Sequence, residues 1–328
     1  MNKIKVGIIG AGYIGGVHAA VVIRDSRVEI TRIFDLATER AQSLARSTNS
    51  QIAASAEEVL DKADAVFIAT PNTQHTTLAL SALEAGKHIF CEKPMATSLA
   101  DAQTILEAVS RSDKVFQVGH NRRFAPVYAS LKQTLDEGLQ PHSAHIKMNR
   151  GELLNPEWVA NPQITGGFLY ETTIHLFDMV RYLFGEVARM DAIGSSHEYA
   201  EPDDFSLLLG FHSGMHATFA SSADASWLFP FERVEVFSHH GTIATREMES
   251  ITFSEGLQGK HRNLSMHYLP KEEKWGYVQE DQAFIDSIES GEPALVTALD
   301  GYKSVELVTA CYEAIGTDNR VTFPEKSA

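Results

Sequence analysis

Two cysteines in 328 residues cannot build a disulfide framework, so Cys91 and Cys311 read as reduced thiols of a cytoplasmic protein. Basic residues are also scarce: 28 Lys and Arg stand against 43 Asp and Glu, a formal charge of −15. That balance argues against nucleic acid and anionic membrane surfaces as partners, because both need basic patches. No apolar run is long enough to span a bilayer. The chain enters a strand-like stretch at Ile4 without a separate apolar segment and cleavage site, so no signal peptide is expected. The 14 histidines form no H-x-x-x-H or C-x-x-C cluster of convincing ligand type, so no metal centre is expected. Repeats and low-complexity tracts are absent too. The length suggests two domains and is ample for a sizeable core.

The first half alternates short apolar runs with helical segments. Lys3 to Ile9 is β-rich and is followed at once by Gly10-Ala11-Gly12-Tyr13-Ile14-Gly15 and a helix over 18–24. G-x-G-x-x-G between a strand and a helix permits a tight turn on which a pyrophosphate can sit. A second apolar run, 28–34, ends in Asp35, about twenty residues beyond Gly15. An acid there accepts hydrogen bonds from the adenosine ribose. Asp35 also reads as the N-cap of a helix over 36–46, and both roles are compatible. Arg40 lies within that helix, where it can swing towards a 2′-phosphate. NAD is the expected cofactor, with NADP possible.

Further strands are expected at 65–69, 88–91 and 114–119, with helices to Ala85 and over 99–111. Repeated βα units imply a doubly wound parallel sheet, and ligands collect outside the carboxyl ends of such strands. The groups at those ends are Thr70-Pro71-Asn72, His75, Glu92, Lys93, His120, Asn121 and Arg122. Lys93 precedes Pro94, which keeps it out of helical conformation on an extended segment, where it is expected to point towards the nicotinamide. Cys91 reads as a buried strand residue rather than a nucleophile.

The pattern changes after Asn121. A helix over 124–137 and a strand over 145–150 precede Gly166-Gly167 and an amphipathic helix ending at Gly185. Glu171, His175 and Asp178 recur at four- and three-residue steps and would share one face of that helix. A histidine with an acid one turn before it is a proton-transfer device or, equally, a satisfied core histidine beside solvated acids. Strands then dominate. Ser213-Gly214 and His240-Gly241 mark hairpins, strands are expected at 251–254 and 264–269, and helices over 280–289 and 302–315 close the chain. The second domain is therefore α+β with a large open, mainly antiparallel sheet, whose bare face is a candidate homodimer or homotetramer interface. The expected domains are 1–121, a Rossmann dinucleotide-binding domain, and 122–328, a substrate-binding and oligomerisation domain.

These motifs together resemble the Gfo/Idh/MocA family of oxidoreductases over essentially the whole chain. The resemblance rests on Gly10-x-Gly12-x-x-Gly15, on Ala69-Thr70-Pro71-Asn72 with His75, on Glu92-Lys93-Pro94, and on 119–124. Gly166-Gly167 with the following acid, His175 and Asp178, and the later Gly291-x-Pro293 and Asp300-Gly301, complete it. It implies hydride transfer between a nicotinamide and a secondary alcohol carbon of a sugar, cyclitol or related polyol. Lys93 would bind and polarise the reacting hydroxyl, His175 would take its proton, and Glu171 would orient substrate or histidine. The family commonly has Asp at position 171 and Gly at 173; Glu171 and Thr173 imply a reshaped pocket.

That division of labour suits the chemistry. Oxidising an alcohol releases a proton that a neutral imidazole accepts near neutral pH, while a lysine ammonium stabilises developing alkoxide charge. Arg122, Arg150, Asn155 and Trp158 complete the expected substrate wall, and Asn121 joins the expected cofactor contacts. Two alternatives stay open: a glycosidase that oxidises and re-reduces a sugar carbon on bound NAD, and a nucleotide-binding regulator without catalysis. Retention of Lys93 and His175 argues against the second.

Overall fold

The computed structural model describes residues 3–151, 156–228 and 230–325. The first elements follow the expected alternation. β1 (Ile4–Ile9) runs into α1 (Tyr13–Val22), β2 (Val28–Phe34) into α2 (Thr38–Thr48), and a short β3 (Gln51–Ile52) into α3 (Ala56–Lys62). β4 (Ala65–Ile68) leads to α4 (His75–Glu84), β5 (His88–Glu92) to α5 (Leu99–Val109), and β6 (Phe116–Gly119) ends the series. The six strands pair in parallel in the order 3-2-1-4-5-6. All four residues of β4 are buried, as a central parallel strand covered on both faces requires.

Two helix starts differ from the sequence reading. α1 begins directly after Gly12 rather than at His18, and α2 begins at Thr38 with Ala37 as its N-cap, so Asp35 does not cap it. The β3–α3 pair was not foreseen, because two strand residues and two helical turns carry too little periodicity.

The later elements are α6 (Pro126–Asp136), β7 (Pro141–Asn149), α7 (Pro162–Thr165), a π-helical turn over Leu169–Thr173, and α8 (Ile174–Phe184). They continue as β8 (Val187–Ser195), β9 (Asp204–Phe211), β10 (His216–Ser222), β11 (Glu232–Ser238), β12 (Gly241–Arg246), β13 (Ser250–Glu255) and β14 (Lys260–Ser265). Short α9 (Lys271–Lys274), α10 (Tyr277–Ser290), α11 (Ala298–Thr317) and β15 (Val321–Thr322) finish the chain. Nine strands stand in the order 14-13-12-11-7-10-9-8-15, antiparallel except for the β7–β10 pair among the described residues. Both hairpins form, β9–β10 and β11–β12. The strand expected at 264–269 lies earlier, at β14, whose mostly exposed residues give no apolar alternation to fix it.

The chain divides into two compact units: Met1–Asn121 with Tyr277–Val305, and Arg122–Gly276 with Glu306–Ala328. The sequence reading made one cut after Asn121; the chain instead supplies 277–305 to the first unit. The reason is packing. Phe67 and Phe90 stack at 4.8 Å between ring centroids, and Phe284 of α10 meets both edge-on at 5.4 and 5.8 Å. Together with Val6, Ile8, Ile33 and Ile285 they form that unit's core.

In the second unit Phe177 of α8 packs on Phe219 of β10 at 5.2 Å, and Phe205 of β9 meets Phe219 at 5.9 Å. The other face of this sheet carries a cross-strand row of Leu208, Thr218, His145 and Glu235, with Leu208 and Ile193 exposed. No helix among the described residues is long and apolar enough to cross a membrane.

Candidate active site

Two groups of site residues form, one in each unit. In the first, the glycine turn is built by exclusion. Gly10 has φ +100°, and a Cβ there would lie 2.3 Å from the Ala69 carbonyl oxygen; a Cβ at Gly15 would lie 2.0 Å from the Gly10 oxygen. Only hydrogen fits at either place, so strand, turn and helix start are pressed together. Gly12 is the opposite case. A Cβ there meets nothing within 4 Å, and as N-cap of α1 it offers no side-chain bond to the helix. No side chain caps the start of this ten-residue helix and none stands over Gly12, the arrangement of a seat for an anion. Tyr13 is exposed beside it and Ile14 half-buried.

Asp35 ties this turn to β2. Its Oδ2 accepts the Ala11 N–H at 2.7 Å and its Oδ1 accepts the Ala37 N–H at 2.7 Å. Each carboxylate oxygen has two lone pairs, so both retain capacity for hydroxyl donors. Arg40 is exposed on α2. The residues therefore fit a dinucleotide: an open anion seat on α1 and a half-buried carboxylate at the end of β2.

At the end of β4, Thr70 and Pro71 are half-buried and Asn72 is buried. His75 departs from its expected place among the cofactor contacts. It is fully buried, and its Nδ1 and Nε2 lie 2.7 Å from the Pro94 carbonyl oxygen and 2.9 Å from the Thr70 carbonyl oxygen. Burial holds its pKa below the usual imidazole value against those two acceptors. The ring thus lies between the loop after β4 and the loop after β5, and when neutral it donates to one of the two carbonyls.

Lys93 is half-buried and its N–H donates to Glu92 Oε2 at 3.0 Å. Glu92 is buried, and its Oε1 lies 3.1 Å from His18 Nε2 on α1. His18 Nδ1 lies 2.8 Å from Asp281 Oδ1 on α10. Glu92, expected at the cofactor, therefore has its two oxygens turned to His18 and to the Lys93 backbone. His120 and Asn121 are buried at the end of β6. Cys91 is buried, and burial pushes its thiol pKa up, away from nucleophilic use.

In the second unit, Gly166 ends α7 in the left-handed region with φ 84°, and Gly167 follows with φ 109°. A Cβ on Gly167 would meet the Tyr312 hydroxyl at 2.8 Å and Glu201 at 2.9 Å. Those groups accept the next free backbone donors, Leu169 N–H at 3.3 Å and Phe168 N–H at 3.2 Å.

The chain does not then continue as one α-helix. Glu171 lies in the π turn and His175 in the first turn of α8. A π turn holds more residues than an α turn, so Glu171, His175 and Asp178 do not keep the expected α spacing on one face. Ser221 Oγ donates to the Met148 carbonyl at 2.8 Å and accepts the Thr173 hydroxyl at 3.2 Å, which pins the π turn to β10 and β7. Glu171 is half-buried and His175 is buried. Asp178 is buried and engaged by Arg123, with contacts of 2.8 and 2.6 Å to its two oxygens. It anchors α8.

Arg122 also departs from its expected place in the substrate wall. It is buried, its Nε and Nη2 lie 3.4 and 3.2 Å from Glu232 Oε2, and its guanidinium covers the Trp275 ring at 5.0 Å. Tyr128 donates to the other Glu232 oxygen at 2.7 Å. This is a core ion pair. Arg150 donates its N–H to the Ser222 carbonyl, and its guanidinium covers the half-exposed Trp227 ring at 5.1 Å. Trp158 is half-buried in a 3₁₀ turn over Glu157–Ala160, and Asn155 lies outside the described residues.

Sequence reasoning missed His18, Asp281, Arg123 and Glu232. The one available signal for His18 and Asp281 was a polar residue set within an otherwise apolar helical face. Among the described residues no group of three or more His, Cys, Asp or Glu is arranged to hold a metal ion.

A glycine-built helix start beside a half-buried carboxylate on a six-stranded parallel sheet fits the class of dinucleotide-binding domains. Residues 4–120 match the model of an oxidoreductase family with an NAD-binding Rossmann fold, and 132–323 match that family's C-terminal α/β domain. The chain belongs to the Gfo/Idh/MocA family of oxidoreductases. The uncharacterized oxidoreductase YrbE of Bacillus subtilis is 30% identical, covering 100% of this chain and 99% of its own. The myo-inositol 2-dehydrogenase of Thermotoga maritima is 27% identical over 98% and 99% of the two chains. A levoglucosan dehydrogenase bound to NADH and levoglucosan shares the fold, with a TM-score of 0.91 at 22% identity over 99% and 100% of the chains.

Proposed function

We propose that this oxidoreductase transfers a hydride between NAD and a secondary alcohol carbon of a sugar, cyclitol or related polyol. The observation that carries the reading is the open seat at Gly12 with Asp35 beside it, on the same parallel sheet whose β5 end presents Lys93. The relatives support the substrate class: one is named for inositol and one for levoglucosan. NAD, when bound, accepts the hydride. Gly10, Gly12, Tyr13, Ile14 and Gly15 hold the pyrophosphate, Asp35 the ribose, and Thr70, Pro71, Asn72 and Asn121 the remaining cofactor edge. Lys93 stabilises the developing alkoxide, His175 accepts the hydroxyl proton, and Glu171 orients the substrate. Arg150 and Trp158 line the substrate side. The test is reduction of NAD and NADP by a panel of cyclitols, aldoses and glycosides. Failure of every member to reduce either cofactor would overturn the reading.

Cofactor choice should follow Asp35. A carboxylate facing a 2′-phosphate at roughly 4 Å repels it by up to about 4 kcal/mol near a protein surface. After screening about 1–3 kcal/mol remains, roughly tenfold to a hundredfold in affinity. NAD should therefore be preferred, with Arg40 on α2 limiting the gap. Asp35→Ser should narrow the ratio of kcat/KM values. An unchanged ratio would leave Asp35 only its bonds to Ala11 and Ala37.

The sheet face bearing Leu208 and Ile193 is the proposed homodimer or homotetramer interface. Light scattering at micromolar concentration should give a dimer or tetramer, and Leu208→Asp with Ile193→Asp should shift it to smaller species. A monomeric wild type would reject this interface.

A further inference from the structure

We infer that His18 is a positioning residue for the dehydrogenase reaction, acting through Glu92 on Lys93; this rests on the role proposed for Lys93. The observation is a cluster of three buried titratable groups with His18 at its centre. His18 Nε2 faces Glu92 Oε1 at 3.1 Å and His18 Nδ1 faces Asp281 Oδ1 at 2.8 Å. A neutral imidazole has one N–H, so it would turn a lone pair on one of the two carboxylates. The arrangement is satisfied when one more proton resides in the cluster, shared between the His18 ring and Asp281, with Nε2–H donating to Glu92. The electrostatics agree. Burial alone would lower the His18 pKa, but Asp281 and then Glu92 outweigh it and raise it well above the usual value. Burial would raise Glu92, but the His18 bond and the charges of His18 and Lys93 hold it below the usual carboxylate range. Burial raises Asp281 despite His18.

Such a cluster is weak support for stability, since well-packed apolar residues often replace a buried ion group without loss. The ring's other neighbours are aromatic: Phe90 at 4.7 Å, Phe67 at 5.3 Å and Tyr277 at 5.9 Å between ring centroids. An apolar side chain would suit that surround. What an apolar side chain cannot do is grip Glu92. That carboxylate is held on three sides: His18 on Oε1, the Lys93 N–H on Oε2 at 3.0 Å, and Gly119 of β6, where a Cβ would lie 3.0 Å from Oε1. In this pose the Glu92 carboxylate accepts the N–H of the backbone from which the Lys93 side chain departs. His18 lies on α1, three residues beyond the glycine turn. The helix that seats the anion and the residue that stabilises the alkoxide are joined by one rigid hydrogen-bonded chain.

The test is His18→Asn, whose amide can still reach Asp281 but lacks a donor at the Nε2 position. Displacing a catalytic group by about 1 Å can cost about a hundredfold, so kcat should fall about tenfold to a hundredfold, with the NADH dissociation constant within about twofold. Because His18 acts through Lys93, adding His18→Asn to Lys93→Ala should change kcat by less than about twofold. A purely structural His18 would instead weaken NADH binding, or its effect would multiply with that of Lys93→Ala; either result overturns the inference. If Lys93→Ala alone keeps kcat within a fewfold of wild type, the role of Lys93 fails and this inference with it. Should His18→Asn not fold, the same relay is read from Glu92. Glu92→Ala should lower kcat about a hundredfold, and Glu92→Gln, which keeps an oxygen for the Lys93 N–H, should recover about tenfold of that. Equal losses in the two variants would overturn the relay.

Discussion

Replacing His175 with asparagine should lower kcat by about a hundredfold to ten-thousandfold, the range for losing a general base. NADH binding should stay within about twofold, because the cofactor seat at Gly12 and Asp35 belongs to the other compact unit. Lys93→Ala should do comparable damage by removing the charge that meets the alkoxide. The two variants should differ in pH response. Without the imidazole, the rate should rise with hydroxide as solvent takes over the proton, whereas Lys93→Ala retains a side-chain base for it. Steady-state rates across pH, together with NADH titration, provide the measurement. Turnover within a fewfold of wild type in either variant would remove that residue from the mechanism.

The second large effect concerns stability. Asp178→Ala should strip the half-buried Arg123 of its two carboxylate contacts at 2.8 and 2.6 Å and leave its charge with the Tyr182 ring at 5.1 Å in place of an anion. Breaking one partner of a buried pair costs about 3–5 kcal/mol, which for a unit of this size lowers the melting temperature by about 6–20 °C. The paired substitution Arg123→Met with Asp178→Leu should recover much of that loss, since it removes the stranded charge as well as the pair. A melting temperature within about two degrees of wild type for Asp178→Ala would mean that Arg123 finds other partners as good.

Much of the fold was legible because its signals are local. Gly10, Gly12 and Gly15 lie within one turn, Asp35 ends the adjacent strand, and the Ser213-Gly214 and His240-Gly241 dipeptides mark hairpins that form as read. The start of α3 was also written locally, in Ser55 capping the Glu58 N–H and Glu58 reaching back to the Ala54 N–H, one residue before the cap, a signal that two helical turns of weak periodicity concealed.

What the sequence did not show is long-range or depends on backbone detail. His18 meets Asp281 across 263 residues, and Arg122 meets Glu232 across 110. No spacing rule joins such pairs, so Arg122 read as a substrate ligand when it is a core residue. His75 read as a cofactor ligand for the same reason: its partners are main-chain carbonyls, which leave no trace in composition. The π turn likewise has no residue signature, so the four-residue step from Glu171 to His175 was read with α geometry.

The way the first unit borrows 277–305 also dictates an order of events during synthesis. When the ribosome has released the six strands of the nucleotide-binding sheet, Phe67 and Phe90 still lack Phe284, and His18 still lacks Asp281. The nascent sheet therefore waits, with an uncovered aromatic face and a half-built charge cluster, while about 155 further residues emerge. Over those residues the central strand β7 waits in turn for β10 and β11. Neither unit can be finished until α10 leaves the exit tunnel, so their completion is compressed into the last moments of translation. The early half therefore cannot complete its core as an independent piece, because the residues that complete it come after the other unit's strands.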